Sequence, residues 1–364
     1  MSARRATLKR RKAKGGVLVP VALVVLIVIL FPVSLGRELT ARPVWAIDLR
    51  EVQVPYLDPE PLETVGFRLG DRIGYAALDG QLKLLQRVIY GAALSDGGFI
   101  NFSRIPGSLV LQNPDGELVR SFSQCGYPAF DESGDRLFVF YTDATGLKEI
   151  TLEGQELWRI EFPSVITSFH SNGSRRLIGL ANGGLALIDS SGAVLHRTTP
   201  DGSRVPVILG CSVGSSGGRI AAVSGIGPQK AVIFRIRGDE LKEERSIELA
   251  SSYRREVFGR FSHDEQLLYF EQPGGIGVLD VPSGGIDLLP MEGTLTGFCE
   301  LGDRRIVLLI SEQKGRSVLR GYCRIGHLLF EETLAEGPSV IRTLESGILL
   351  GAGGRLMRID VAEG

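Results

Sequence analysis

Methionine, tryptophan, histidine and cysteine are all scarce in this chain of 364 residues, with three, two, four and four copies respectively. Cys125, Cys211, Cys299 and Cys323 form no CxxC pair. That speaks against a zinc ribbon and against a small disulfide-framed domain. His170, His196, His263 and His327 are scattered, with no HExxH pattern, so the helical zinc-protease arrangement is absent. No phosphate-binding loop occurs either, because Gly351-Ala352-Gly353-Gly354 separates two apolar runs as a turn. The chain also lacks a basic stripe beyond its N-terminus. Residues 1–36 hold seven of its 41 Lys and Arg and no acid, leaving 34 basic against 42 acidic residues, a net of −8. A mildly acidic body argues against nucleic acid as a partner.

Glycine, by contrast, is abundant, with 47 copies where an average composition holds about 7%. Many turns and few long helices follow. At this length the chain holds one large domain or two ordinary ones.

Arg4, Arg5, Lys9, Arg10, Arg11, Lys12 and Lys14 precede Val17–Leu35, nineteen uncharged residues dominated by Val, Leu and Ile. As a helix this run spans about 28 Å, close to the hydrocarbon thickness of about 30 Å. The expectation is a signal-anchor (residues 17–35) behind a basic cytoplasmic tail (1–16), with the body outside the cytoplasmic membrane, periplasmic or extracellular. A cleaved signal peptide is the alternative, with Ser34 and Gly36 as small residues at the cut. Residues 36–63 contain Pro43, Pro55, Pro59 and Pro61 and are expected to be a stalk, within which Val44–Val54 is a candidate closing strand.

The clearest stretch of the body is Ser168–Arg197. Its apolar runs Arg176–Ala181, Leu185–Asp189 and Ala193–His196 are separated by Asn182-Gly183-Gly184 and Ser190-Ser191-Gly192, and Ile166–Phe169 precedes them. Short apolar runs bounded by Gly, Asn and Ser clusters read as antiparallel strands joined by hairpins. The phrase recurs. Its turn falls at Ser95, Asp131, His170, Cys211, Ser262, Cys299 and Glu345, at steps of 36, 39, 41, 51, 37 and 46 residues. Phe67-Arg68-Leu69-Gly70-Asp71-Arg72 echoes it once more, with Arg68 at the turn. A second turn phrase appears late in the units, as Asp79-Gly80-Gln81-Leu82, Asn113-Pro114-Asp115-Gly116 and Glu153-Gly154-Gln155. Four strands repeating at about 40 residues mark propeller blades. The expected fold is therefore an all-β propeller over residues 64–364, with eight four-stranded blades and seven as the alternative.

This repeat grammar resembles the WD40-like and quinoprotein-like repeats of bacterial β-propellers, over about Val65–Val361. No blade ends in the Trp-Asp pair of the eukaryotic WD40 subtype. Quinoprotein enzymes of this style are Trp-rich at their blade-docking positions, whereas this chain has only Trp45 and Trp158. No cofactor is expected. Outer-membrane assembly propellers are a further likeness, although those are usually lipid-anchored and no lipobox cysteine lies near residue 36.

The seven turn residues Ser95, Asp131, His170, Cys211, Ser262, Cys299 and Glu345 are expected to form a ring at one end of the central channel. Ser and Asp there read chiefly as turn caps bonding to backbone N–H groups. Asp131, His170 and Glu345 together would be the material for a metal or acid–base cluster. Asp131-Glu132-Ser133-Gly134-Asp135 resembles the start of a calcium loop but lacks the distal Glu. Gly210-Cys211-Ser212-Val213-Gly214 matches the G-x-S-x-G elbow, yet a strand-like run follows it where a helix is required. With no coherent catalytic set, the expected role is a non-catalytic interaction scaffold for an envelope protein or polymer. The alternative is a channel-mouth enzyme or small-ligand binder of hydrolase or lyase type.

Overall fold

The computed structural model describes residues 39–51 and 63–363, apart from 106, 124, 201, 239, 302–305 and 324–325. The expected basic tail, the apolar run Val17–Leu35 and residues 52–62 of the stalk lie outside the described residues. Among the described residues no helix is long and apolar enough to cross a membrane. Residues 43–360 make one compact unit; of the second, residues 1–42 with 361–364, only strand ends are described.

Every regular element described is a strand. In chain order, β1 (Leu39–Asp48) comes first. Blade 1 follows as β2 (Thr64–Leu69), β3 (Arg72–Ala77) and β4 (Leu82–Arg87). Blade 2 is β5 (Gly91–Leu94), β6 (Phe99–Phe102), β7 (Leu109–Gln112) and β8 (Leu118–Phe122). Blade 3 is β9 (Tyr127–Phe130), β10 (Leu137–Phe140), β11 (Gly146–Ile150) and β12 (Glu156–Glu161). Blade 4 is β13 (Ile166–Ser171), β14 (Arg175–Leu180), β15 (Leu185–Asp189) and β16 (Val194–Thr198). Blade 5 is β17 (Val205–Val213), β18 (Arg219–Ile226), β19 (Gln229–Arg237) and β20 (Glu240–Leu249). Blade 6 is β21 (Gly259–Phe261), β22 (Leu267–Gln272), β23 (Gly275–Asp280) and β24 (Ile286–Pro290). Blade 7 is β25 (Thr294–Leu301), β26 (Ile306–Gln313), β27 (Arg316–Cys323) and β28 (Leu328–Thr333). Blade 8 takes β29 (Ser339–Thr343), β30 (Gly347–Ala352) and β31 (Arg355–Glu363) from the C-terminal end.

Each blade is an antiparallel meander, and the eighth is completed by β1, in the order β1-β31-β30-β29. The eight blades expected from the repeat are present, and the closing strand is β1, which begins before Val44. Among the described residues seven sheets have four strands, and blade 1 has three.

The reason for stacking is visible in blade 4. Strands β14 and β15 are buried almost throughout, while β16 is largely exposed. A meander of this kind leaves both faces of its middle strands apolar and must cover them with neighbouring blades. The cores accordingly lie between blades: Phe138, Leu147 and Trp158 of blade 3 meet Ile178, Leu180 and Ile188 of blade 4. Burying one such side chain stabilises by about 1.5–3 kcal/mol.

Glycine in the turn before the outermost strand makes the fit close in blades 1 to 4. Gly192 has φ +84°, and a Cβ there would lie 2.5 Å from Cγ of Trp158 on the outer strand of the preceding blade. Gly154 meets Phe122, Gly116 meets Leu84 and Gly80 meets Trp45 in the same way. This correspondence identifies the β3–β4 turn as the one that normally joins third and fourth strands. Strands β2, β3 and β4 therefore fill the second, third and fourth positions of blade 1. Among the described residues its innermost position holds no strand, and β2 touches β29 and β5 directly.

The contact between blades 3 and 4 includes a buried ion pair. Arg176, on β14, is fully buried and donates to Glu149 Oε2 on β11 at 2.7 Å. Glu149, also fully buried, accepts from Arg136 at 2.7 Å and from the Trp158 indole at 2.9 Å. The Arg176 guanidinium lies 5.6 Å from the Phe138 ring centre and 5.9 Å from that of Trp158, within cation–π range. Removing one partner of a buried pair strands the other charge, at a cost of about 3–5 kcal/mol. Arg176→Ala should lower unfolding stability by that amount in urea titrations followed by tryptophan fluorescence, whereas an exposed control such as Arg87→Ala should change it little.

Candidate functional site

Hairpins joining first and second strands gather at one end of the propeller, and the seven turn residues lie on or near them. They do not share one register. Ser95, Asp131 and Ser262 each follow the last inner-strand residue, and their N–H groups close the hairpins onto Gly98, Arg136 and Leu267. The equivalent residues elsewhere are Asn172, Gly214 and Leu344. Glu345 lies one residue later, exposed on the hairpin. His170 lies two residues earlier, within β13, and Cys211 three earlier, within β17. Cys299 sits two residues before the end of β25. Arg68, considered with them, is on a second strand, so its hairpin points to the opposite end. Hairpins of different length account for the slips, and in a strand a shift of one residue exchanges the two faces.

Position then decides role. Ser95 Oγ donates to the Gly98 carbonyl at 3.1 Å. Asp131 Oδ1 accepts from the Asp135 and Arg136 N–H groups, each at 3.2 Å, and from Ser133 Oγ at 2.9 Å. Ser262 Oγ accepts the Leu267 N–H at 3.0 Å and donates to Asp264 at 2.7 Å. All three are buried turn caps. The two cysteines face the inter-blade core. Cys211 accepts from Ser168 Oγ at 3.3 Å, and burial pushes its thiol up to about 12. Burial also raises Cys299, which contacts Thr343 Oγ1 at 2.8 Å. Ser212 lies inside β17, 1% exposed, and accepts the Phe261 N–H at 3.3 Å. It is a strand residue with no elbow around it.

A different register carries the charged groups. The penultimate residues of the inner strands include His170, Arg260, Glu300 and Arg342. His170 Nδ1 accepts the Val213 N–H at 3.1 Å, which assigns the ring proton to Nε2, 3.0 Å from Glu132 Oε1. Arg260 of blade 6 also donates to Glu132 of blade 3, so this pair reaches past blades 4 and 5. Burial raises the Glu132 carboxyl, but the His170 hydrogen bond and the Arg260 charge outweigh it, and the group falls from 4.5 to about 2. Glu300 accepts from the Tyr269 hydroxyl and the His263 N–H, both at 3.1 Å.

A second long-range pair spans the place where, among the described residues, blade 1 has no inner strand. Arg342 of blade 8 donates to Asp96 of blade 2 at 2.6 Å and also to the Gly66 carbonyl, while Asp96 accepts the Gly66 N–H at 2.8 Å. The ion pair thus occupies backbone groups of β2 that an inner strand would otherwise bond. Asp96, Glu132, Arg260 and Arg342 were absent from the seven singled out by the repeat. No local signal marks them, because their partners lie 128 and 246 residues away. Among the described residues no group of three or more His, Cys, Asp or Glu is arranged to hold a metal.

Eight antiparallel blades closed by strands from both ends of the body define a β-propeller. The chain belongs to the beta-propeller protein family, whose model matches residues 8–364. It is 23% identical to an uncharacterized protein of Treponema pallidum (strain Nichols), over 96% of this chain and 95% of that one. Among solved structures it resembles BamB from Moraxella catarrhalis, with a TM-score of 0.60 and 12% identity, covering 88% of this chain and all of that one. It also resembles the computationally designed Ika8 protein, with a TM-score of 0.60 and 16% identity, covering 82% and 93%. At such identities the likeness is one of fold.

Two outcomes follow from the site. Glu132 is more acidic folded than unfolded, so the stability it contributes is present above pH 4.5 and is lost as pH falls toward about 2. Glu132→Gln should flatten that part of the acid-unfolding curve; an unchanged curve would remove the pair from the account. In native protein at pH 8, iodoacetamide should label exposed Cys125 and spare Cys211 and Cys299 until denaturant is added, as read by mass spectrometry.

Proposed function

We propose that this chain is a membrane-anchored scaffold whose propeller lies outside the cytoplasm and binds an envelope protein or polymer at the charged channel end. The observation that carries this reading is the pairing of Glu132 with Arg260, and of Asp96 with Arg342, across non-adjacent blades, with His170 of the adjacent blade completing the first pair. Charges held in fixed positions recognise a partner by complementarity and suppress wrong ones. Ser212, Cys211 and Cys299 are buried and engaged, as a binding surface permits and nucleophilic catalysis does not. The BamB-like fold supports an interaction role. Anchoring rests on the seven basic residues before Val17–Leu35, which favour retention of the N-terminus in the cytoplasm.

A photo-crosslinking residue at Glu345, exposed at the charged end, should yield a discrete adduct in membranes containing the full-length protein. The same residue at Val194, on the outer strand of blade 4, should not. Arg260→Glu should abolish the Glu345 adduct. Equal adducts at both positions, or an adduct indifferent to Arg260→Glu, would place recognition elsewhere. Added protease should digest the propeller only from the non-cytoplasmic side of sealed vesicles; digestion from the other side would reverse the topology.

A further inference from the structure

The opposite end of the propeller holds a cavity of about 550 Å³ between blades 7, 8 and 1. Its walls come from Arg68 on β2, from Glu312 and Gly315 at the β26–β27 hairpin, and from Ser317 and Ser339 beside the start of β29. It exists beside β2, where blade 1 lacks an inner strand among the described residues. The volume falls within the range of small-ligand sites, about 300–1,000 Å³.

Its charges are the informative part. Nearby Arg316 and Glu336 pair with each other at 3.5 Å. Arg68 and Glu312 make no ion pair or side-chain hydrogen bond among the described residues, although both line the same cavity. Ser317 Oγ and Ser339 Oγ are hydrogen-bonded at 2.9 Å, and Ser317 Oγ also lies 3.4 Å from the Gly337 carbonyl. Gly315 opens onto free space, with nothing within 4 Å of where its Cβ would be.

The backbone adds a second requirement. Gly66 turns its N–H and C=O away from β3, where Asp96 and Arg342 take them. Directions alternate along an antiparallel strand, so Arg68, two residues on, presents its N–H and C=O to the same edge, which no described strand pairs. A ligand that meets Arg68 therefore finds a guanidinium and a peptide-pairing edge together, with a carboxylate on the facing hairpin.

We propose that this cavity binds a short zwitterionic peptide, its carboxylate on Arg68 and its ammonium on Glu312. One unpaired cation and one unpaired anion suit a ligand carrying both charges. A phosphate would face repulsion from Glu312, a metal ion would find a single carboxylate, and an apolar ligand would desolvate two charges without pairing them. The peptide-pairing edge selects a peptide over an amino sugar acid of similar charge.

The test is calorimetric titration of the full-length protein in detergent with trialanine, N-acetyl-trialanine and trialanine amide. Trialanine should bind saturably, and blocking either terminus should weaken binding about tenfold or more, the size of a lost charge-assisted hydrogen bond. In Arg68→Gln the amide should bind as well as free trialanine, and in Glu312→Gln the acetylated peptide should. Both variants should keep the parent melting temperature, because both side chains are exposed. No saturable binding at millimolar trialanine, equal binding of all three peptides, or variants that preserve the parent ranking would each overturn the proposal. The site is remote from the charged channel end, so either outcome leaves the crosslinking test independent.

Discussion

No blade of this protein can cover its own faces, and the rest of the structure answers that constraint. Second and third strands such as β14 and β15 carry apolar residues on both sides, so every core lies between two blades and belongs to neither. A row of such units has two unsatisfied ends unless it closes. Closure comes from strands at opposite ends of the body, with β1 laid against β31. Trp45 on β1 then does what Trp158 and Phe122 do elsewhere: it fills the space against a glycine turn of the next blade, here Gly80. Its indole also donates to the Leu78 carbonyl at 2.9 Å, tying blade 8 to blade 1.

Besides the Glu132 pair at the channel end, two places depart from the apolar rule by using ion pairs. Between blades 3 and 4, Arg176 stands at a position that other blades fill with Phe99, Leu137 or Ile220. Its burial is tolerable only because Glu149 and two aromatic rings surround it, and Glu149 in turn takes a second arginine and an indole. Such a pair is a weak source of net stability but a strong penalty on mispairing. At blade 1, Arg342 and Asp96 bond the open edge of β2. The same irregularity has two consequences. It joins blades 8 and 2 at the charged end, and it leaves the Arg68 cavity at the other.

The channel end illustrates how far a repeat can be read. Asp131 and Ser262 take backbone N–H groups on their side-chain oxygens and the Ser95 hydroxyl donates to the Gly98 carbonyl, contacts settled within a few residues of the turn. His170, Cys211 and Cys299 sit in the same written phrase, yet the hairpins after them differ in length. That difference of two or three positions turns the cysteines toward the inter-blade core and His170 toward Glu132. Glu132 and Asp96 stand on hairpin turns with no local mark of their role. Their significance comes from arginines two or three blades away, brought close by ring curvature that no local pattern encodes.

The sequence by itself determined the blade, its four-strand meander and the need for a closing strand, because these follow from alternating apolar runs and glycine turns of short range; it allowed seven or eight blades, and the structure has eight. It also determined that the N-terminal segment is basic and then apolar. Tertiary structure decided which residues face the channel, which face a neighbouring blade, and which charges meet. Those outcomes depend on strand register and on ring closure, where one extra hairpin residue exchanges faces and where partners more than a hundred positions apart are brought within a hydrogen bond.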